Sequence, residues 1–137
     1  MIVYLDTSIV LRVLLGQGKP AALWGKRQEA YASELLGLEA RRVVDRLRLE
    51  RALDDAGVVA AHQGLARIER LIGRIPLTRP VLRRAAMPMA TAVKTLDAIH
   101  LSSALLLQER RGHPVLFATH DTRQANAARA LGFECVA

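Results

Sequence analysis

The chain has 137 residues, of which 51% are hydrophobic and 24% are charged, a length typical of one domain and a composition that supports a packed core. Lys and Arg number 20 against 13 Asp and Glu, which gives a formal net charge of +7, and all but three of the basic residues are arginines. This surplus indicates either a polyanionic partner or an ordinary arginine-rich surface.

Several classes of protein are disfavoured at once. One cysteine, Cys135, leaves no internal disulfide and no multi-cysteine zinc site. No apolar stretch reaches the ~18 residues of a membrane span, and the apolar start lacks the basic lead of a signal peptide. With aromatic residues at 4%, a surface of stacked aromatics for single-stranded nucleic acid is not expected. We therefore expect a soluble cytoplasmic protein.

Strand and helix patterns alternate along the chain, which predicts an α/β fold with a mainly parallel sheet. The predicted strands are short apolar or β-favouring runs, the third marked as an edge strand by its proline: Ile2–Leu5, Ala30–Ala32, Arg74–Leu77, Pro114–Ala118 and Phe133–Val136. The predicted helices begin at polar caps and end at glycine or proline: one after Asp6-Thr7-Ser8, a short one over Ala21–Arg27, Ser33 to about Asp54, Gly57 to about Ile72, a short one after Thr78 and Pro80, Thr95 to about Arg111, and Asp121–Leu131. No repeat or long linker interrupts them, so residues 1–137 are predicted to form a single domain.

Two aspartates directly follow predicted strands. Asp6 comes after Ile2–Leu5, and Asp121 follows Val115–Ala118 with two residues between. The carboxyl ends of strands are where open α/β sheets bind ligands, although Asp is also a common helix N-cap. If the two strands are neighbours, the carboxylates face each other across a crevice.

Two further acids lie on predicted buried helix faces. Asp97 begins a helix that is apolar on nearly every side, where an inward carboxylate is costly unless a donor or cation meets it. A helix-dipole role in the first turn would instead predict an outward-facing acid. Glu39 borders the apolar stripe of its helix, whereas Glu34 points roughly away from it and Glu50 lies further along the helix.

Four converging carboxylates repel each other unless a cation neutralises them, and Mg²⁺ or Mn²⁺ prefers such oxygen ligands. Three hydroxyl side chains flank the acids and are predicted to orient ligands or metal-bound water: Thr7, Ser8 and Thr119. Carboxylates that hold metal beside a basic surface fit phosphodiester cleavage.

The motifs resemble those of the PIN-domain family, most closely its small VapC-type toxins, over essentially the whole chain. They are Tyr4-Leu5-Asp6-Thr7-Ser8, Ser33 followed six residues later by Glu39, Leu96-Asp97-Ala98-Ile99-His100, and Thr119-His120-Asp121 before Ala127-Ala128 and Gly132. The resemblance implies a three-layer α/β/α sandwich with a central parallel sheet of four to five strands. It also implies that Asp6, Glu39, Asp97 and Asp121 bind Mg²⁺ or Mn²⁺ for endoribonuclease activity. VapC-type members are usually homodimers inhibited by a cognate antitoxin, so RNA, an antitoxin and a second copy are the implied partners.

Three basic residues close in sequence to the acids are the candidates for contacts with RNA phosphates: Arg12, Lys94 and Arg123. His100 is expected to be a packed histidine, and His120 is only a possible substrate contact.

The alternatives are a non-catalytic RNA-binding module whose acids are caps and surface charges, and an RNA-processing PIN nuclease without a toxin role. A different Mg²⁺ phosphate enzyme is disfavoured, because Ser8 stands where an aspartyl phosphatase needs a second Asp and no Walker P-loop occurs.

Overall fold

The computed structural model describes residues 1–17 and 28–137, and the predicted helix over Ala21–Arg27 lies outside them. The described residues form five strands and six helices that largely alternate. The strands are β1 (Ile2–Leu5), β2 (Glu29–Ser33), β3 (Gly73–Ile75), β4 (Val115–Ala118) and β5 (Glu134–Val136). The helices are α1 (Thr7–Leu14), α2 (Leu35–Leu49), α3 (Asp55–Leu71), α4 (Arg79–Ala85), α5 (Thr95–Arg111) and α6 (Thr122–Ala130).

All strand pairs are parallel and the strand order is β3-β2-β1-β4-β5. The central strand β1 is buried along its whole length, as its continuous apolar run predicts for a strand covered on both faces. Helices α1, α2 and α3 pack on one face around Val3 and Leu5, whereas α5 and α6 pack on the other around Tyr4 and Phe117. The predicted three-layer α/β/α sandwich is confirmed.

Most predicted boundaries hold because local chemistry sets them. Helix α5 spans the predicted residues and ends at Gly112, whose φ of 64° lies in the left-handed region that glycine adopts at helix ends. Ser33 ends β2, and Glu34 occupies the N-cap position of α2 that was predicted for Ser33. Ser33 still supports the start of α2, because its hydroxyl accepts a hydrogen bond from the Leu35 backbone amide.

Two boundaries were predicted wrongly. Helix α2 ends at Leu49 and not near Asp54, because Arg51 turns the chain with a φ of 58° and Asp54 instead caps α3 by accepting from the Gly57 amide. The edge strand β3 runs over Gly73–Ile75 and stops before Pro76, which has no backbone N–H for the ladder. Gly73 fits there because a Cβ would collide with the Tyr31 ring on β2.

Candidate active site

The candidate site lies where the order of the sheet reverses. From β1 the chain proceeds outward through β2 to β3, and it then returns to the other side of β1 with β4 and β5. A crevice therefore opens at the carboxyl ends of the neighbouring strands β1 and β4, the usual ligand position in open α/β sheets. Asp6 and Thr119 directly follow these strands, and the Asp6 amide continues the pairing by donating to the Ala118 carbonyl at 2.9 Å.

Asp6 occupies the N-cap position of α1 but makes no side-chain cap hydrogen bond. Its buried carboxylate instead accepts at Oδ2 from Thr119 Oγ1 at 2.7 Å and from Ser8 Oγ at 2.9 Å. The same hydroxyls accept backbone amides of the β4–α6 loop, from Asp121 to Thr119 at 3.1 Å and from His120 to Ser8 at 3.0 Å. Ser8 and Thr119 thus fix the Asp6 carboxylate against the loop that carries Asp121.

Glu39, in the second turn of α2, reaches the same crevice from the side. Its side chain is 25% exposed, and Oε1 accepts from Thr7 Oγ1 at 2.9 Å and lies 2.6 Å from His100 Nε2. Burial by itself raises the pKa of Glu39, but the hydrogen bonds and positive charge of His100, with the Thr7 bond, outweigh it and lower the pKa. Glu39 is therefore held as a carboxylate at the border of the core, where its helix position predicted it.

His100 is fully buried, but it is bonded as well as packed. Nδ1 lies 2.6 Å from the Tyr4 hydroxyl and Nε2 meets Glu39, so the ring bridges β1 and α2. Burial alone would lower the pKa of His100, yet the Glu39 hydrogen bond and the charges of Asp6, Glu39 and Asp97 raise it. Burial and the charge of Asp6 raise the pKa of Tyr4 well above its usual value, which keeps the phenol protonated. The spacing of His100 three residues after Asp97, on the same face of the helix, is the one sequence feature that indicates that His100 lies near the acids.

Asp97 lies half-buried in the first turn of α5. Burial raises its pKa, and the negative charges of Asp6, Asp121 and Glu39 raise it further, against the opposing effect of His100. The four predicted acids therefore share one electrostatic environment, although they come from four separate segments of the chain.

Asp121 is exposed and serves as the N-cap of α6. Its Oδ1 accepts from the backbone amides of Arg123 at 2.9 Å and Gln124 at 3.3 Å. Asp121 thus caps a helix, which was one of the two roles that the sequence allowed. Its charge also raises the pKa of Asp97, so the capping role does not place it outside the candidate site. Gln124 was not predicted: its buried side chain donates from Nε2 to the Asp97 carbonyl at 3.2 Å and so ties the start of α6 to the start of α5.

A cavity of about 240 Å³ opens between the starts of α5 and α6. Its lining combines two acids, Asp97 and Asp121, with the predicted basic residues Lys94 and Arg123. The third predicted basic residue, Arg12, is exposed on α1, and its charge adds to burial in lowering the pKa of His120. Negative and positive side chains therefore line one cavity at the candidate site.

The acids suit a hard divalent cation in ligand chemistry and in charge, since carboxylate oxygens are the preferred ligands and Asp97 is crowded by like charges. Within residues 1–17 and 28–137, however, no three side chains of His, Cys, Asp or Glu already stand close enough together to share one ion. Asp6 and Glu39 are fixed by hydrogen bonds, whereas the Asp121 carboxylate is exposed.

The five-stranded parallel sheet with acids at its reversal point defines an α/β protein with a candidate metal-dependent site. The chain belongs to the PIN domain family, whose model matches residues 3–130. The predicted family is thereby confirmed, and the sequence motifs noted above fall within the matched range except for Gly132.

Known relatives agree with this assignment. The chain is 28% identical over 138 residues to Ribonuclease VapC47 of Mycobacterium tuberculosis (strain CDC 1551 / Oshkosh), with 96% of this chain and 93% of that protein covered. Two solved structures share the fold at lower identity. FitAcB from Neisseria gonorrhoeae has a TM-score of 0.69 at 17% identity, covering 100% of this chain and 97% of that chain. VapBC2 from Rickettsia felis, bound to a DNA fragment from their promoter, has a TM-score of 0.67 at 12% identity, covering 99% and 98%.

Among the described helices, none has the length and apolarity that crossing a bilayer requires.

Proposed function

We propose that this protein is a divalent-metal-dependent endoribonuclease and the toxin of a toxin–antitoxin pair. The observation that carries the proposal is the cavity at the reversal point of the sheet, which Asp97 and Asp121 line together with Lys94 and Arg123. The charges of Asp6 and Glu39 also act on Asp97 there. The similarity to a protein named Ribonuclease VapC47 supports RNA as the substrate.

In this proposal Asp6, Glu39, Asp97 and Asp121 hold Mg²⁺ or Mn²⁺. A bound divalent cation supplies Lewis acidity at the scissile phosphate and a water of lowered pKa. Thr7, Ser8 and Thr119 orient the acids, as their hydrogen bonds to Glu39 and Asp6 support.

The basic side chains have a separate task. Lys94 and Arg123 bind phosphates of the RNA beside the acids, and Arg12 extends this contact along α1. Phosphate contacts of this kind position the strand without selecting its sequence.

The remaining parts of the proposal concern organisation. Residues 1–137 act as one PIN domain in the cytoplasm, the active form is a homodimer, and a cognate antitoxin inhibits it. The resemblance to VapC-type toxins supports these parts, and the shared fold with the VapBC2 chain adds to it.

Cleavage of RNA by the purified protein tests the central claim. We expect cleavage with Mg²⁺ or Mn²⁺, none with EDTA, and a loss of at least about 100-fold in Asp97→Asn, since changes to groups that merely support a ligand already cost ~10–100-fold. Asp55→Asn is the matched control, because Asp55 is an exposed acid in the first turn of α3.

Metal-independent cleavage, or full activity of Asp97→Asn, would refute the metal-dependent nuclease. RNA binding without any cleavage, unchanged by Asp97→Asn, would favour the non-catalytic binding module. Induced expression in growing cells separates a toxin from an RNA-processing nuclease: a toxin arrests growth as wild type and as Asp55→Asn, but not as Asp97→Asn.

A further inference from the structure

Three side chains far apart in sequence form a continuous hydrogen-bonded chain that ends at the candidate site. The Tyr4 hydroxyl on β1 lies 2.6 Å from His100 Nδ1 on α5, and His100 Nε2 lies 2.6 Å from Glu39 Oε1 on α2. Tyr4 and His100 are 0% and 1% exposed, so water does not compete for these bonds. The chain thus connects the centre of the sheet to a helix on each of its faces.

The direction of the hydrogen bonds follows from chemistry. A carboxylate only accepts, so His100 Nε2 must carry the hydrogen that it shares with Glu39. In the neutral ring Nδ1 then accepts from the Tyr4 hydroxyl, and in the protonated ring it donates to the Tyr4 oxygen. The bond to Glu39 has the same direction in both states, which makes His100 a constant donor at this position.

We propose that His100 is a positioning residue for Glu39, that Tyr4 fixes the orientation of the His100 ring, and that this pair sets the affinity of the site for its divalent cation. The inference rests on the proposed metal-dependent function. It adds two residues that neither touch the ion nor belong to the acidic set.

Glu39 needs such support more than the other acids do. Asp6 directly follows a central strand and Asp121 caps a helix, whereas Glu39 extends a long side chain from the side of α2. His100 and Thr7 both bond to Oε1, which leaves Oε2 for the ion. His100 Nε2 lies 3.8 Å from Asp6 Oδ1, beyond hydrogen-bonding range, and 3.4 Å from Thr7 Oγ1, so Glu39 Oε1 at 2.6 Å is its shortest hydrogen-bond partner.

Calorimetric titration of the metal-free protein with Mn²⁺, without RNA, tests the proposal. We expect His100→Leu to weaken Mn²⁺ binding by about 10–100-fold, the usual effect of removing a group that orients a metal ligand. His100→Gln places an amide N–H near the lost Nε2 and should restore most of the affinity. Tyr4→Phe keeps the ring but loses the hydroxyl, and should weaken binding less than His100→Leu.

Two controls separate positioning from general damage to the core. Ser102→Ala alters a buried polar residue of α5 whose hydroxyl has no partner within the described part of the chain. Tyr31→Phe removes a hydroxyl that donates to Glu29 at the amino end of β2 and accepts from Arg111 at the end of α5, the opposite end of that helix from Asp97. Both should bind Mn²⁺ like wild type, with circular dichroism to confirm folding of every variant.

A metal-free readout complements the titration. Long-range ¹H–¹⁵N spectra of histidine-labelled protein should place a hydrogen on His100 Nε2, and Tyr4→Phe should shift the Nδ1 resonance. A hydrogen on Nδ1 alone would overturn the proposal, even if the His100 variants do not fold. Equal Mn²⁺ affinity in folded wild type and His100→Leu, or no recovery in His100→Gln, would overturn it while leaving the nuclease intact. A wild-type protein that neither binds Mn²⁺ nor cleaves RNA would instead refute the proposed function itself.

Discussion

Asp6 and Asp121 both stand at the N-cap of a helix, but only Asp121 uses its carboxylate to cap. The Asp6 carboxylate instead accepts from Thr119, which follows β4, and from Ser8 in the first turn of α1. A buried carboxylate is costly unless donors satisfy it, and these two hydroxyls supply them. Residue type and position alone therefore do not show which of the two carboxylates caps its helix; the hydrogen-bond partners do.

Thr119 is the residue on which this arrangement depends most directly. Its buried hydroxyl donates to Asp6 and accepts the Asp121 amide. We expect Thr119→Val, which keeps the shape, to lower the free energy of unfolding by about 1.5–3 kcal/mol, the range for hydrogen bonds to charged groups. Chemical denaturation of the metal-free protein measures this loss.

Thr119→Ser is the matched variant, because it retains the hydroxyl and loses one methyl group. It should stay within about 1.5 kcal/mol of wild type, the range for removing one buried methyl. Equal losses in Thr119→Val and Thr119→Ser would show that packing, and not the hydroxyl, accounts for the role of this residue.

At the scale of elements, the sequence predicted those helix and strand boundaries that are set by residues next to them in the chain. The limits of α5 were predictable because Gly112 ends it in a left-handed turn. The strands β1 and β4 were predictable as two apolar runs, but their pairing is shown by the structure alone. The end of α2 was not, because its apolar pattern continues past the turn that Arg51 makes.

The contacts between elements were beyond sequence reasoning for a different reason. Tyr4 and His100 are 96 positions apart, and their contact depends on how β1 and α5 pack. Sequence placed Glu39 beside the buried face of α2 but did not indicate which side chain it meets. Four acids were predicted from their positions; the groups that hold them required the tertiary structure.

Gln124 sets the relative position of α5 and α6. Its backbone amide binds the Asp121 carboxylate and its side chain binds the Asp97 carbonyl, so one residue links two acids through two helices. Its Oε1 is buried without a partner within the described part of the chain. The contact between α5 and α6 therefore depends on the Nε2–H group of Gln124 and not on its Oε1.

Two substitutions of similar size test that link. Gln124→Met should cost about 0.5–1.5 kcal/mol of unfolding free energy, one lost hydrogen bond. Gln124→Glu should cost more at pH 7, roughly 3–5 kcal/mol, because it buries an uncompensated charge near Asp97 and Asp121. The buried acid has a raised folded-state pKa, so the excess loss appears above the unfolded pKa of about 4.3 and shrinks as the pH falls toward it. Denaturation at several pH values checks this, and a Gln124→Glu variant as stable as Gln124→Met at pH 7 would contradict it.

At the scale of the whole molecule, the net charge of +7 conceals two zones. Asp6 and Asp121 follow strands at the carboxyl edge of the sheet, and Lys94 and Arg123 line the cavity that Asp97 and Asp121 also line. Many other arginines lie elsewhere, as Arg70 does near the end of α3, next to the amino end of β3 and hence at the opposite edge of the sheet. Under the proposed function, only the basic residues near the acids should contact RNA phosphates.

Salt dependence of RNA binding distinguishes these groups. Each phosphate contact releases condensed counterions, so the slope of log Kobs against log salt counts the contacts. In an Asp97→Asn background, which prevents cleavage, Lys94→Ala and Arg123→Ala should each reduce that slope by about 1 and weaken binding alike for different RNA sequences. Arg70→Ala, an exposed control at the opposite edge, should leave the slope unchanged. If Arg70→Ala reduces it as much as the other two, RNA binds through the diffuse charge of the whole surface and not through a track that leads to the acids.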